Sequence, residues 1–148
     1  MTRHSALPTQ AAEAAGHALD LMEERWANTP EVNIAPLSPS QLRVLYTLED
    51  HDGTNLRTLA RTLSITSAAV SQLCDRIEAA GFLERVPNPH NRREVQVQLT
   101  GSGRTYLERL RSERRQALTP IIEALPSHDR AALLDGLTAL AAATTVAR

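Results

Sequence analysis

Residues 56–100, LRTLARTLSITSAAVSQLCDRIEAAGFLERVPNPHNRREVQVQLT, decide the fold of this chain of 148 residues. Twice in succession, apolar residues recur at the i, i+3, i+4, i+7 spacing that gives a helix one apolar face. They are Leu56, Leu59, Ala60 and Leu63, followed by Val70, Leu73, Cys74 and Ile77. Asn55 and Thr66, which precede the two repeats, are residue types that cap helix N-termini. The sequence therefore predicts two helices that are joined by a tight turn and cross steeply.

The second half of the stretch predicts a β-hairpin. Gly81 suits the left-handed conformation that ends a helix, and residues 82–86 are a β-prone run. Residues 94–99 alternate with a period of two, which is typical of a strand with one buried face. The inward-facing residues of that strand would be Val95, Val97 and Leu99. Pro87 and Pro89 are expected to exclude a regular strand at their positions and to stiffen the tip.

The exposed start of the second helix and the tip of the hairpin have the composition of a DNA-reading surface. Small and polar side chains let a helix approach base edges in the major groove, where Ser and Gln can donate and accept hydrogen bonds. Adjacent arginines on a hairpin beside that helix are placed to enter the neighbouring minor groove. The candidate DNA-binding residues are Thr66, Ser67, Ala68, Ala69, Ser71, Gln72, Arg76, Arg92 and Arg93.

The ordered motifs of this stretch resemble the MarR family of transcriptional regulators. They include Leu59-Ala60, Ser64-Ile65-Thr66, Asp75-Arg76-Ile77-Glu78 and Gly81-Phe82-Leu83-Glu84-Arg85. The family's wing signature, Asp-x-Arg-x-x-x-Val-x-Leu-Thr, is matched from Asn91 to Thr100, and only the leading Asp is changed. In relatives that acid orients the wing arginine. We therefore expect Asn91 to hydrogen-bond Arg93 without a charge pair and to leave the wing looser.

The resemblance implies a fold, a partner and a mode of regulation. The implied fold is mainly α with a small β-hairpin wing, in which a winged helix-turn-helix is flanked by N- and C-terminal dimerisation helices. The implied function is that of a repressor that binds a pseudo-palindromic, double-stranded DNA operator as a homodimer. A small aromatic or lipophilic effector would release it. Relatives bind such effectors beside helices that here carry Trp26 and Tyr46, with His17 and His51 nearby, although each of these residues also suits a core or surface position.

The segments around the reader agree with this organisation. Ser38, Pro39 and Gln41 form the opening of a helix with a capping box, and residues 38–100 would make up the DNA-binding region. Residues 8–28 and 101–148 read as amphipathic helices; the latter include a Pro120 that should kink its helix. One small chain has little against which to bury these apolar seams, which favours a homodimer. The chain is expected to be a single MarR-like domain, residues 1–148.

Composition excludes several other classes of protein. There is neither a long apolar run nor a secretory signal, so we expect a cytoplasmic protein without membrane association. The formal net charge is −1, yet residues 57–93 carry six arginines against three acids, a local +3. Motifs for nucleophilic catalysis, phosphate loops and zinc ligation are lacking, which predicts no enzyme, no metal and no cofactor. Cys74, the one cysteine, is expected to fill the core rather than to sense oxidants.

Two further interpretations stay open at the level of the sequence. A winged-helix adaptor that binds protein without reading DNA would share the same periodicities. The arginines of the helix after residue 100 could touch DNA or a ligand, but a solvated face paired with Glu108 and Glu113 is the more ordinary expectation. These arginines are Arg104, Arg111, Arg114 and Arg115.

Overall fold

The computed structural model describes residues 3–30 and 37–146. Within these ranges, six helices and a three-stranded antiparallel sheet follow one another along the chain. In order they are α1 (Arg3–Ala27), α2 (Pro39–Asp50), β1 (Thr54–Asn55), α3 (Leu56–Leu63), α4 (Ser67–Ala79), β2 (Leu83–Asn88), β3 (Asn91–Leu99), α5 (Gly101–Glu123) and α6 (Ser127–Val146).

The chain forms two compact units. The first contains residues 1–26 and 112–148, and the second contains residues 27–111. The reader predicted from the sequence, α3 to β3, lies wholly in the second unit, together with α2 and the start of α5. The prediction of a single folding domain stays a prediction.

The second unit has the hydrophobic core. Its fully buried side chains come from the helices and from strands β2 and β3, and include Leu45 and Leu48 of α2, Leu59 of α3, Ile77 of α4 and Leu107 of α5. Each such side chain stabilises the fold by roughly 1.5–3 kcal/mol relative to its exposed state. This core fixes α3 and α4 against the sheet, so the surface that α4 presents is held on a rigid base.

The predicted N-terminal caps of α2, α3 and α4 are confirmed. The Asn55 side chain accepts a hydrogen bond from the Thr58 backbone N–H at 2.7 Å, and the Thr66 hydroxyl accepts one from the Ala69 N–H at 3.1 Å. Ser38 and Gln41 form the capping box that opens α2. Because each of these contacts spans three residues, it depends only on local sequence.

The sheet extends the predicted hairpin by one strand. Its order is β1-β3-β2, and the short strand β1 pairs Thr54 with Val97 and Asn55 with Gln96. Two residues are too few to show a periodicity, which is why the pattern did not reveal this strand. Because β3 is the central strand, both its edges are paired and the wing is tied to the entrance of α3.

Two expectations about the hairpin were wrong. Strand β2 continues through Pro87, because it is an edge strand and the missing N–H of proline costs no ladder hydrogen bond there. The pairing shifts between Pro87 and Asn88. Val95 was expected to face inward, but it is 47% exposed, whereas Val97 and Leu99 are buried. Val95 lies opposite Pro87, at the end of the hairpin where it extends beyond the core.

The turn from β3 into α5 requires a glycine. Thr100 caps α5 by accepting a hydrogen bond from the Gly103 N–H at 3.0 Å. A Cβ atom at Gly103 would lie 2.1 Å from the Phe82 carbonyl oxygen, so no other residue fits without a backbone shift. Beside this contact the rings of Phe82 and Tyr106 stack with centroids 4.6 Å apart. The close approach seats α5 on the hairpin.

The first unit consists of helical segments with exposed apolar side chains. Helix α1 begins at Arg3, earlier than the predicted start at residue 8, and runs through Pro8. The residues before Pro8 carry no apolar stripe, so periodicity could not reveal this part of the helix. Helix α5 continues through Pro120 to Glu123. Helix α6 has no buried residue, and Leu134, Leu137 and Leu140 are 67%, 53% and 54% exposed.

Candidate nucleic-acid interface

The surface of α4 carries the predicted reading residues. Thr66, Ser67, Ala68, Gln72 and Arg76 are exposed, and Ala69 and Ser71 are half-buried. The opposite face buries Val70, Cys74 and Ile77, so the helix cannot rotate without exposing its apolar stripe. Leu73 of the predicted stripe is only half-buried. The result is a helix with a fixed, narrow and polar outer face that contains one cation.

Five arginines of the reader carry charge that nothing in the described chain neutralises. Their side chains are exposed and make no hydrogen bond or ion pair with any residue of the described ranges. They are Arg57 and Arg61 of α3, Arg76 of α4, and Arg92 and Arg93 of β3. Such unpaired cations are favourable only in water or against an anion, and the phosphates of a nucleic acid are such an anion.

The sixth arginine of this region has a structural role. Arg85 of β2 reaches α4, where its guanidinium donates to Asp75 at 2.7 Å and also to Glu78. These carboxylates raise the pKa of Arg85 against the opposing effect of burial. Two of the three acids in residues 57–93 therefore hold the wing against α4. The exposed surface is accordingly more cationic than the net charge of +3 counted for these residues.

The wing tip is ordered by two local hydrogen bonds. Asn88 Oδ1 accepts from the His90 N–H at 2.9 Å, and Asn91 Oδ1 accepts from the Arg93 backbone N–H at 3.2 Å. The expected contact between Asn91 and Arg93 is therefore made through the main chain. It does not restrain the guanidinium of Arg93, which stays available to a partner outside the chain.

A cavity of about 270 Å³ adjoins the reading helix. Gln72 and Arg76 of α4 line it together with Ser40 and Arg43 of α2. Arg43 donates a long hydrogen bond of 3.5 Å to the carbonyl of Leu63. Arg43 is not among the DNA-binding candidates predicted from the sequence, because nothing in the local pattern of α2 indicates that its outer side borders α4.

The arginines of α5 have other partners than expected. Within the second unit, Arg104 pairs with Asp52 at 2.8 Å, and Arg111 makes a bidentate pair with Glu49 at 2.8 and 2.6 Å. Hydrogen bonding from Arg111 lowers the pKa of Glu49. The expected pairing with Glu108 and Glu113 is not what holds these two residues, because Glu49 of α2 and Asp52 just after it supply the carboxylates.

Each of the two aromatic ligand candidates lies against an arginine of its own unit. In the first unit, the Arg114 guanidinium is 4.8 Å from the centroid of the Trp26 ring. In the second, Arg111 lies 5.4 Å from the centroid of Tyr46. Both rings are half-buried. Trp26 Nε1 is buried without a hydrogen-bond partner in the described chain. His17 and His51 are exposed.

Cys74 lies in the core, fully buried on the inner face of α4. Burial raises the pKa of its thiol to about 11. A thiol of this kind is protonated at neutral pH and reacts slowly with oxidants. Among the described residues there is no cluster of His, Cys, Asp or Glu that could hold a metal ion. None of the described helices combines the length and apolar character needed to cross a bilayer.

Comparison with known proteins agrees with this geometry. The model of the MarR family matches residues 37–95, which span α2 to the middle of β3. The HTH-type transcriptional regulator YfiV of Bacillus subtilis is 28% identical over 107 residues, 72% of this chain and 67% of YfiV. The HTH-type transcriptional repressor MdtR of the same organism is 26% identical over 93 residues, 63% of this chain and 60% of MdtR.

The similarity to solved structures extends beyond the reader. The crystal structure of RV1404 from Mycobacterium tuberculosis is 28% identical, with a TM-score of 0.77 over 98% of this chain and 97% of that one. The flanking helices are therefore shared as well as the winged helix-turn-helix. By its match over residues 37–95 and its similarity to these regulators, the winged helix-turn-helix is that of a MarR-type, DNA-binding transcriptional regulator.

Proposed function

We propose that the chain binds a pseudo-palindromic operator as a homodimer, with the outer face of α4 in the major groove and Arg93 in the adjacent minor groove. The observation that carries the proposal is the set of five exposed, unpaired arginines on α3, α4 and β3. Arg57 and Arg61 lie on the first helix of the helix-turn-helix, which crosses the DNA backbone in this class of reader. In this arrangement phosphates are contacted by Arg57 and Arg61, and also by Arg76 and Arg92.

Base recognition falls to the polar residues of α4. Gln72 is the longest exposed neutral side chain on its outer face, and its amide can make a bidentate contact with an adenine edge. Thr66, Ser67, Ala68, Ala69 and Ser71 keep the start of the helix thin, so that the backbone approaches the groove floor. The proposal includes no catalytic activity, and the place of action is the cytoplasm, where the operator is.

The DNA-binding part is tested on a duplex that the protein itself selects from a random pool, called here the selected duplex. We expect tight binding to the selected duplex, weaker binding to a scrambled duplex of equal composition, and a steep loss of both with salt. An inverted repeat with one helical turn between half-sites would support two-fold binding. Equal affinity for both duplexes would refute sequence-specific recognition.

The homodimer is inferred from the first unit. Leu134, Leu137 and Leu140 of α6 are more than half exposed, and Leu19 and Leu21 of α1 are 57% and 53% exposed. Leu137, Leu140 and Ala141 of α6 also line an open groove of about 490 Å³. Helices without a buried face are marginal in water. A second copy of the chain offers the same apolar surfaces, as a two-fold interface requires.

The dimer is tested with one glutamate placed on either side of α6. Leu137→Glu puts a charge in the apolar groove, whereas Ala142→Glu puts the same charge on the far side of the helix. We expect light scattering to give a monomer or aggregate without affinity for the selected duplex in the first case, and an active dimer in the second. A folded monomer of the wild-type chain at micromolar concentration would overturn the proposal.

We further propose that the chain represses transcription and that a small aromatic or lipophilic acid releases it. MdtR is by its name a repressor, and a dimer on an operator excludes other proteins from the same grooves. Trp26 presents a ring with the Arg114 guanidinium against it, which suits the apolar body and the carboxylate of such an acid. Tyr46 offers an aromatic ring for the apolar body, while Arg111 beside it is paired with Glu49.

The effector is tested by fluorescence, because Trp26 is the one tryptophan of the chain. Benzoate and longer aromatic carboxylates are titrated while tryptophan emission and binding to the selected duplex are followed. We expect a saturable change in emission that coincides with release from DNA, and its loss in Arg114→Gln. Release without any change in Trp26 emission would place the effector elsewhere.

A further inference from the structure

Glu94 is an acid in the middle of the cationic wing, directly after Arg92 and Arg93. It is half-buried, and both of its carboxylate oxygens are hydrogen-bonded. Oε1 accepts from Asn55 Nδ2 at 2.5 Å, and Oε2 accepts from Asn88 Nδ2 at 2.8 Å. On electrostatic grounds alone a carboxylate beside a DNA-contacting arginine weakens binding, so its position requires another reason.

The two asparagines are themselves oriented by the backbone. Asn55 Oδ1 accepts from the Thr58 N–H and so caps α3, and Asn88 Oδ1 accepts from the His90 N–H in the wing tip. Each amide therefore has its oxygen occupied and turns its NH₂ group toward Glu94. Only an acceptor with two oxygens satisfies both NH₂ groups at once. A continuous network of hydrogen bonds, called here the Glu94 network, thus runs from the first turn of α3, through Glu94, to the turn of the wing.

We propose that Glu94 is a positioning residue that fixes the wing relative to the helix-turn-helix and so sets where Arg93 meets the DNA. The inference rests on the proposed function, because it requires that the wing contacts DNA. Glu94 does not touch DNA in this scheme. It acts through its hydrogen bonds to Asn55 and Asn88, which restrain the wing relative to α3. The ion pairs of Arg85 with Asp75 and Glu78 separately connect β2 to α4.

The sign of the expected effect separates this role from simple electrostatics. Glu94→Gln keeps the shape of the side chain but removes one negative charge and turns an NH₂ group toward one of the asparagine NH₂ groups. Charge alone predicts tighter binding to any DNA. Loss of positioning predicts weaker binding to the selected duplex, by about threefold to tenfold, with unchanged or higher affinity for the scrambled duplex.

Glu84→Gln is the matched control. Glu84 lies in β2 of the same hairpin, and its substitution removes the same charge. Among the described residues, however, its carboxylate accepts only from Gln98 on the paired strand, at 2.8 Å. We expect Glu84→Gln to bind both duplexes as well as or better than the wild type. If Glu94→Gln behaves like Glu84→Gln while its melting temperature is that of the wild type, the proposal is wrong.

A second variant covers the case in which Glu94→Gln is unstable. Asn88→Ala interrupts the Glu94 network at the wing without changing the net charge, and it leaves the Asn55 cap in place. We expect the same selective loss of affinity for the selected duplex. The double variant should lose no more affinity than the weaker-binding single variant, because both changes interrupt the same network. A loss in equal proportion on both duplexes, or additive losses in the double variant, would overturn the proposal.

Arg93→Ala distinguishes failure of this inference from failure of the proposed function. If Arg93→Ala binds the selected duplex as the wild type does, the wing does not contact DNA and the proposed function fails. If Arg93→Ala loses affinity but Glu94→Gln and Asn88→Ala do not, the wing contact stands and the positioning role of Glu94 is refuted.

Discussion

Removal of the Arg93 side chain tests the wing contact with little risk to the fold. The side chain is exposed, and its guanidinium makes no hydrogen bond or ion pair with any described residue, so Arg93→Ala deletes no polar contact that holds the free protein together. We expect the free energy of unfolding to change by less than about 0.5 kcal/mol. Any larger change in DNA affinity then reports on the complex rather than on stability.

The magnitude follows from the number of unpaired cations. Each protomer presents five exposed, unpaired arginines on the reader, so a dimer presents ten. If all ten displace counterions, the logarithm of the binding constant falls with that of the salt concentration at a slope of about −9. Arg93→Ala removes two of the ten and makes the slope shallower by about 1.8. Between 50 and 200 mM salt, the deficit of the variant relative to wild type should shrink about twelvefold.

The assay is a salt titration of binding to the selected and scrambled duplexes, followed by fluorescence anisotropy. Arg92→Ala, as a phosphate contact, should weaken both duplexes alike. Gln72→Ala should lose roughly 1–3 kcal/mol on the selected duplex and much less on the scrambled one, with an unchanged slope. Arg109→Ala, which removes an equal charge from the exposed side of α5, is the control and should change neither affinity nor slope.

One result would contradict the proposed wing contact. If Arg93→Ala and wild type have identical affinities and slopes on the selected duplex, Arg93 releases no counterion and makes no groove contact. The wing would then only shield the reader. A changed slope with unchanged sequence preference would instead reassign Arg93 to a phosphate.

The other predictions concern stability. Gly103→Ala places a methyl group 2.1 Å from a backbone oxygen, so it should cost about 1–3 kcal/mol and lower the melting temperature by several degrees, whereas Gly101→Ala, with open space around it, should not. Because burial raises the pKa of Cys74 from 9.0 to about 11, the unfolded thiol ionises first. The contribution of the protonated thiol to stability is complete below pH 9 and is lost as the pH rises toward 11. The free energy of unfolding of the wild type should therefore fall by up to about 2–3 kcal/mol more than that of Cys74→Ala, as urea titrations at each pH would show. The pKa of Glu49 is lowered by Arg111, so their ion pair stabilises the fold above the ordinary value of 4.5, and this stability is lost as the pH falls through the lowered pKa. Glu49→Gln should therefore reduce the free energy of unfolding by about 0.5–1 kcal/mol at pH 7 and make it fall less steeply in acid. An unchanged dependence of stability on acid pH would contradict this.

Much of the reader could be predicted because its determinants are local. The apolar stripes of α3 and α4 repeat within eight residues, and the caps at Asn55, Thr66 and Ser38 act on a backbone N–H three residues away. A side chain and its own neighbouring backbone meet in almost any fold, so such contacts can be recognised from the order of residues alone. The placement of Cys74 in the core followed from the same spacing.

Tertiary structure decided what depends on distant partners. Period-two alternation placed Val95, Val97 and Leu99 on one face, but only the packed sheet shows that the core ends before Val95. The two-residue strand β1 exists because β3 offers it a free edge.

The charged side chains show the same division. Arg104 and Arg111 could be recognised as cations from the sequence, yet their partners lie 52 and 62 residues away. Glu94 meets Asn55 across 39 residues. Local spacing specifies which face a side chain occupies, because the backbone repeat is regular. Which other face it meets is set by how the core brings distant segments together, and that is decided only when the whole unit folds.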